Sequence, residues 1–71
     1  MNLRWYRDKA YTDCWDLRDG LDLVGYIIRS GRGLGSPLRY HRLGRMPDVD
    51  FPDLTVDEVK AAVKAMVRLE G

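Results

Sequence analysis

Cysteine and histidine each occur only once in the 71 residues, as Cys14 and His41. A single cysteine cannot form a disulfide within the chain, so we expect a reducing, cytoplasmic environment and a buried, inert thiol. One histidine and one cysteine are also too few ligands for the usual metal sites, and a nucleophilic pair would need a third, orienting group. The sequence therefore predicts no metal, no cofactor and no catalytic residue, and we expect a protein that is not an enzyme.

Long apolar runs are absent as well. No stretch approaches the roughly 20 residues of a membrane-spanning helix, so no membrane partner is expected. The most apolar run, residues 23–29, is short and rich in β-branched and aromatic residues, which favours a strand near the middle of a sheet. A chain of 71 residues makes one small domain, 1–71, with a modest core.

Lysine is scarce, since nine of the twelve cations are arginine, and acids are missing from residues 29–45. Residues 1–45 carry nine basic and five acidic groups, a net charge of +4, whereas residues 46–71 carry three and six, a net charge of −3. The five arginines within 29–45 predict a basic surface. Arginine suits carboxylates, phosphates and aromatic faces, so this surface fits either a protein or a nucleic acid.

The pattern of apolar and turn residues predicts an α+β fold, with a small antiparallel meander sheet and one C-terminal amphipathic helix packed on one face. Three to four strands are expected, at about 3–7, 10–17, 23–29 and 37–43, with the helix at about 55–69. A helix over 10–17 is the alternative, because aspartates recur at i, i+3 spacing from Asp13 to Asp22. Four acids on one helical face would repel one another, so we prefer the strand.

The turn between the second and third strands is expected around Gly20. A five-residue loop would place Trp15 across from Gly25, where a large aromatic side chain compensates for the missing one. A two-residue turn would instead pair Trp15 with Val24. We favour the first of these registers.

Two further segments lack the pattern of a strand or helix. The glycine-rich residues 31–36 are followed by Pro37 and a strand, whereas a phosphate cradle needs a helix at that point, so they predict a hairpin loop. Residues 44–52 contain two prolines and two aspartates, which disfavour regular pairing, and we expect an irregular segment there.

The C-terminal helix carries the most specific local signal. Thr55 and Glu58 stand at the spacing of a capping box, with Thr55 as N-cap. The apolar stripe predicted to face the sheet consists of Val56, Val59, Val63 and Met66, with Ala62 and Val67 at its margin.

Two tryptophans and four tyrosines are many for a sheet with one helix, and we expect part of them to lie on the surface. Trp, Tyr and Arg dominate protein interfaces, and the same residues bind phosphates and stack on bases. The predicted partner-binding residues are Trp5, Tyr26, Arg29, Arg32, Arg39, Tyr40 and Arg42.

Two sets of residues carry resemblances to known proteins. The first set is Trp15, Gly25, Leu43-Gly44, Phe51, Thr55, Glu58 and Ala61-Ala62. With these residues the chain resembles the DNA-binding domains of the AP2 and integrase arm-binding type, which combine a three-stranded sheet with one helix, and this resemblance implies DNA binding.

The second set is the opening 4–8 and the ending 55–63. With these the whole chain resembles small uncharacterised proteins encoded by phages and mobile elements. This resemblance implies an accessory role, such as inhibition of host defence in the manner of anti-CRISPR proteins.

We therefore expect a small non-enzymatic binding protein, encoded by a phage or mobile element, that acts by protein–protein interaction as an inhibitor or adaptor of a host machine. Its partner would be a host or phage protein, or a protein–nucleic-acid complex, in the host cytoplasm. The alternatives are a DNA-binding accessory protein that uses a basic sheet face, and a virion structural protein. A homo-oligomer is left open.

Overall fold

A computed structural model describes residues 2–11, 13–29, 37–45 and 47–70, which form one antiparallel sheet and one helix. Neighbouring strands in the chain are neighbours in the sheet. The α+β fold is thus confirmed, although the sheet has five strands instead of three or four. The loop expected at 31–36, and Arg32 within it, lie outside the described residues. The elements are β1 (Leu3–Arg7), β2 (Cys14–Asp19), β3 (Asp22–Arg29), β4 (Leu38–Arg42), β5 (Val49–Phe51) and α1 (Val56–Leu69).

The connection between β1 and β2 is a turn, not the beginning of the strand expected at 10–17. The carboxylate of Asp8 accepts hydrogen bonds from the backbone N–H groups of Ala10 at 2.7 Å and Tyr11 at 3.3 Å. Asp13 has a positive φ of 56°, which bends the chain further. Local side-chain hydrogen bonds of this kind compete with a strand ladder. The predicted boundary is therefore wrong, and β2 begins only at Cys14.

A bulge in β3 sets the register of the central strands. The pairing shifts after Leu17, which faces Gly25, because Val24 is inserted as an extra residue. Trp15 consequently faces Ile27, so neither of its two expected pairings is right. The bulge turns Val24 toward the core, where its side chain is buried.

An aromatic ring does cover Gly25, but it belongs to Tyr40 of β4 and not to Trp15. A Cβ atom on Gly25 would lie 2.9 Å from Cε1 of Tyr40 and would collide with the backbone oxygen of His41. The Tyr40 side chain is only 3% exposed. Glycine is thus required at position 25 because any side chain would occupy the space of this ring and of the next strand.

Strand β5 lies in the segment that was expected to be irregular. Its three residues, Val49–Phe51, pair with β4, with Val49 opposite Tyr40 and Phe51 opposite Leu38. The expectation is wrong because Pro47 and Pro52 stand outside the strand and remove no donor from its ladder.

The helix begins as its sequence predicts. Thr55 Oγ1 accepts a hydrogen bond from the N–H of Glu58 at 3.2 Å, and the N–H of Thr55 donates to Glu58 Oε1 at 2.9 Å, so the capping box is confirmed. The apolar stripe differs at its C-terminal end, where Val67 is buried and Met66 only half-buried. The fully covered helix residues are Val59, Val63 and Val67, about one turn apart.

These valines lie on one face of the sheet and close a single core. Its sheet members are Leu3, Leu17, Val24, Ile27, Leu38 and Tyr40, with Trp5, Trp15, Phe51 and Val56 packed around them.

Replacing Gly25 by alanine should destabilise the fold by an amount toward the upper end of roughly 1–3 kcal/mol, because the added methyl group meets backbone as well as the Tyr40 ring. Urea unfolding of both proteins measures this loss. Gly44→Ala is the matched control, since Gly44 has a φ of 77° but nothing within 4 Å of the added carbon, and only backbone strain is expected there. A smaller loss at Gly25 than at Gly44 would contradict the crowding.

Candidate interaction surface on the open face of the sheet

The helix covers only one face of the sheet, and the opposite face carries a mixed set of polar and aromatic side chains. Because side chains alternate along a strand and paired residues share a face, the neighbours of the core residues point away from the helix. We call this surface the open face. Its residues are Arg4, Tyr6, Cys14, Asp16, Arg18, Leu23, Tyr26, Ile28, Arg39, His41 and Asp50.

One row of the open face runs across four strands and is rich in rings. Tyr6, Asp16, Tyr26 and His41 are successive partners in the sheet register. The Tyr26 and His41 rings lie with their centroids 5.1 Å apart at an angle of 39°. His41 Nδ1 is 2.7 Å from Asp48 Oδ1, a distance at which the imidazole donates to the carboxylate. The histidine is therefore held on both sides and presents a fixed ring edge on this face.

A second row of paired residues on the open face ends in an ion pair between Arg39 and Asp50. Arg39 Nε donates to Asp50 Oδ1 at 2.7 Å, and Nη2 lies 3.5 Å from the other carboxylate oxygen. The hydrogen bond from Arg39 lowers the pKa of Asp50, and the same bond raises the pKa of Arg39. The guanidinium is thus oriented by its partner across β4 and β5 while its side chain stays 45% exposed.

A hollow of about 240 Å³ opens on the same face beside these rows. Tyr11, which is 65% exposed, stands at its side, and the buried Cys14 lies at its base. Burial, followed by the charges of Asp16 and Asp8, raises the pKa of the Cys14 thiol. The prediction of a buried thiol is confirmed, and a protonated sulfur of this kind is a poor nucleophile. The lining residues are Asp8, Tyr11, Cys14, Asp16, Tyr26 and Ile28.

Three of these residues bring ligand atoms together. One oxygen or sulfur atom from each of Asp8, Cys14 and Asp16 lies within 4.8 Å of the others. The group consists of two half-buried carboxylates and one buried thiol, and no fourth His, Cys, Asp or Glu among the described residues joins it. We therefore assign it no metal.

The predicted partner-binding residues are divided between the two faces of the sheet. Tyr26 and Arg39 lie on the open face. Tyr40 is buried beneath the helix, and Trp5 is half-buried against the core. Alternation explains the split, because Tyr40 follows Arg39 in the same strand and must point to the other side. Arg29 and Arg42 share the helix side with Tyr40, and Arg32 is not among the described residues.

Arg42 has a structural role. Its Nη1 donates to the carbonyl oxygen of Val24 at 3.0 Å, and its Nε donates to Glu70 at 3.1 Å. The hydrogen bond from Arg42 Nη1 satisfies the Val24 carbonyl group at the bulge, which also accepts a hydrogen bond from the N–H of Leu43 at 3.1 Å. The hydrogen bond from Nε joins β4 to the end of the helix. Arg42 therefore ties the helix to the sheet instead of presenting a free guanidinium.

Within residues 29–45, each arginine that the structure describes lies within ion-pair distance of a carboxylate. Arg29 pairs with Asp13, Arg39 with Asp50, and Arg42 and Arg45 with Glu70. These acids come from other parts of the chain, so the charge pattern along the sequence does not reveal the pairing. Among the described open-face residues, only Tyr26 and Arg39 belong to the predicted binding set. The register of the strands is the signal that groups the others with them, among these Tyr6, Asp16, Arg18 and His41.

No protein-family model matches the chain, and no curated protein or solved structure matches it either. Within the described ranges, no helix has the length and apolar character needed to cross a membrane.

The Arg39–Asp50 pair gives a direct check on this geometry. Replacing Arg39 by glutamine should raise the pKa of Asp50 toward its ordinary 3.8, because the main stabilising partner of the carboxylate is removed. Since the pKa in the folded protein is lowered, the contribution of the pair to stability is present above about pH 4 and is lost as the pH falls through the lowered pKa. An NMR titration of the carboxyl carbons measures the shift, with Arg68→Gln as control. An Asp50 pKa that is the same in Arg39→Gln and wild type would contradict the pairing.

Proposed function

We propose that this chain is a non-enzymatic binding protein that recognises another protein through the open face of its sheet, as an inhibitor or adaptor. The observation that carries the proposal is a sheet that the described part of the chain covers on one side, whose other side holds an oriented set of rings and charges. Tyr26, His41 and Arg39 are fixed by stacking, a hydrogen bond and an ion pair. Side chains that are already ordered lose little entropy on binding, which favours association.

The hollow supports the same proposal. Its lining is mostly apolar and comes from Tyr11, Tyr26, Cys14 and Ile28, together with the carboxylates of Asp8 and Asp16. Protein interfaces place their strongest contacts where an apolar side chain fills such a depression and polar groups surround it. An aromatic or aliphatic side chain of the partner fits this description better than a phosphate does.

The charge pattern also favours a protein over a nucleic acid. A phosphate backbone selects surfaces of uniform positive charge. The open face instead alternates arginines with Asp16 and Asp50, and Arg39 would have to leave its carboxylate to reach a phosphate. The likeness of the two chain ends to small phage and mobile-element proteins supports a target within a host cell, of the kind that anti-CRISPR inhibitors have.

Binding of a partner should depend on Arg39 and Tyr26. We expect Arg39→Ala to weaken the complex about 30-fold, the effect of removing an interface hot spot, while the variant stays folded because the side chain is exposed. The partner is captured from nuclease-treated host lysate, identified and purified, and affinities are then compared by calorimetry. Tyr26→Ala should weaken binding similarly.

Arg68→Ala is the matched control, since it removes an exposed arginine from the helix and should leave the affinity unchanged. Folding of each variant is checked by circular dichroism. Full affinity in both Arg39→Ala and Tyr26→Ala, together with a loss in Arg68→Ala, would move the interface to the helix.

DNA binding is the second candidate, and one observation favours it. Arg4, Arg7 and Lys9 are exposed and have no carboxylate partner among the described residues. If these cations contact phosphates, the affinity for duplex DNA should fall with salt at a log–log slope near −0.9 per contact. Titration of duplex DNA at low and moderate salt measures the slope. Absence of binding at low salt would remove this candidate and leave the protein partner.

A further inference from the structure

No strand of the described sheet pairs with the outer edge of β1. In the β1–β2 ladder the N–H of Asp8 donates to the carbonyl of Cys14 at 3.0 Å, and the N–H of Gly20 donates to the carbonyl of Asn2 at 3.4 Å. Hydrogen-bonded pairs alternate with non-bonded pairs in an antiparallel ladder, so the even-numbered residues of β1 bond to β2. The backbone N–H and C=O groups of the odd-numbered residues therefore point away from the sheet, and no described residue bonds to them. These residues are Leu3, Trp5 and Arg7.

The opposite edge of the sheet is protected. Strand β5 has only three residues, it is flanked by Pro47 and Pro52, and it carries the paired Asp50 at its centre. Short length, proline and charge are the features by which proteins prevent strand addition at an edge. Strand β1 has five residues and no proline within or beside it. Strand addition is therefore favoured at only one of the two edges of the described sheet.

The charges along β1 determine which charge an added strand should carry. Arg4 points to the open face and Arg7 to the helix side, both are exposed, and Lys9 follows in the turn. β1 itself contains no acid. An added strand consequently meets unpaired cations on both of its faces, and opposite charges across a strand pair are stabilising. The partner is thus expected to be acidic.

Aromatic surface accompanies these cations. Tyr6 is 46% exposed on the open face, and Trp5 is half-buried on the other side. Aromatic and β-branched cross-strand pairs stabilise antiparallel sheets. A strand that alternates acidic with β-branched residues is complementary to this edge on both faces.

A second copy of the chain fits the edge less well. Two β1 strands related by a two-fold axis at Trp5 would place Arg4 opposite Tyr6 of the other copy. The two Arg4 side chains would then be diagonal neighbours, about 7–8 Å apart at Cα, with no acid between them. Like charges at such positions oppose pairing, so the complementary occupant is an acidic segment of a different protein.

We infer that the outer edge of β1 docks an extended, acidic segment of the partner protein, which adds to the sheet as a further antiparallel strand. The inference rests on the proposed function and names a second contact of the same complex, beside the open face. Backbone hydrogen bonds to Leu3, Trp5 and Arg7 would supply the affinity, and Arg4 and Arg7 the selectivity.

The probe that tests this is a short capped peptide in which glutamate alternates with valine. In NMR titrations of the full chain we expect it to shift the amide signals of Leu3, Trp5 and Arg7 and to slow their hydrogen exchange. The same peptide with lysine in place of glutamate should bind at least roughly tenfold more weakly. N-methylation of the glutamate–valine peptide on its bonding edge should abolish binding, because it removes the donors without altering the protein.

Charge reversal supplies the stricter control. In Arg4→Glu/Arg7→Glu the lysine peptide should become the better ligand. Equal affinity of wild type for both peptides, or shifts centred on β5 or on the Tyr26–His41 row, would overturn the inference. Self-association through β1 in the absence of peptide, detected by sedimentation, would overturn it in favour of a second copy.

Affinity measurements with the captured partner distinguish this inference from the proposed function. Arg7→Pro removes one outward N–H group and no bond to β2, a change that an edge strand tolerates. A loss of partner affinity in Arg7→Pro supports the edge. If Arg7→Pro keeps its affinity for the partner while Arg39→Ala loses it, docking at the edge is overturned and the open-face proposal stands. If Arg7→Pro, Arg39→Ala and Tyr26→Ala all keep their affinity, both proposals are overturned.

Discussion

The structure depends on the burial of one helical stripe against one face of the sheet. Val59 and Val63 are fully buried, as are Leu17 and Ile27 on the strands beneath them. A 14-residue helix covers one side of a five-stranded sheet and no more. The apolar strand residues of the main core therefore point to that side, and the side chains between them lie on the open face, where most are exposed or half-buried and Cys14 is buried.

On the open face, polar side chains pair with one another instead of being covered by a second layer of the fold. Arg39 and His41 are held by the carboxylates of Asp50 and Asp48, and Arg18 lies 6.0 Å from the centre of the Tyr6 ring. Exposed pairs of this kind add little stability each. Their effect is to order the surface, which gives it a fixed pattern of rings and charges.

Local signals made part of the fold predictable. The capping box at Thr55 and the apolar run before Arg29 depend only on neighbouring residues, and both were predicted correctly. The bulge at Val24 and the short strand β5 were not, because they are set by contacts between distant segments. The same limit applies to the site: Tyr26 and Tyr40 look equivalent in the sequence, and only the register places one on the open face and the other in the core.

The central claim is that a partner protein contacts the open face. Cross-saturation NMR tests it most directly, with the labelled, deuterated chain bound to the protonated partner. We expect the strongest transfer of saturation from the partner at the amides of Tyr26, Arg39 and His41, which lie nearest the proposed contact. Strongest transfer at the exposed helix residues Ala61, Ala65 and Arg68, with none on these strands, would contradict it.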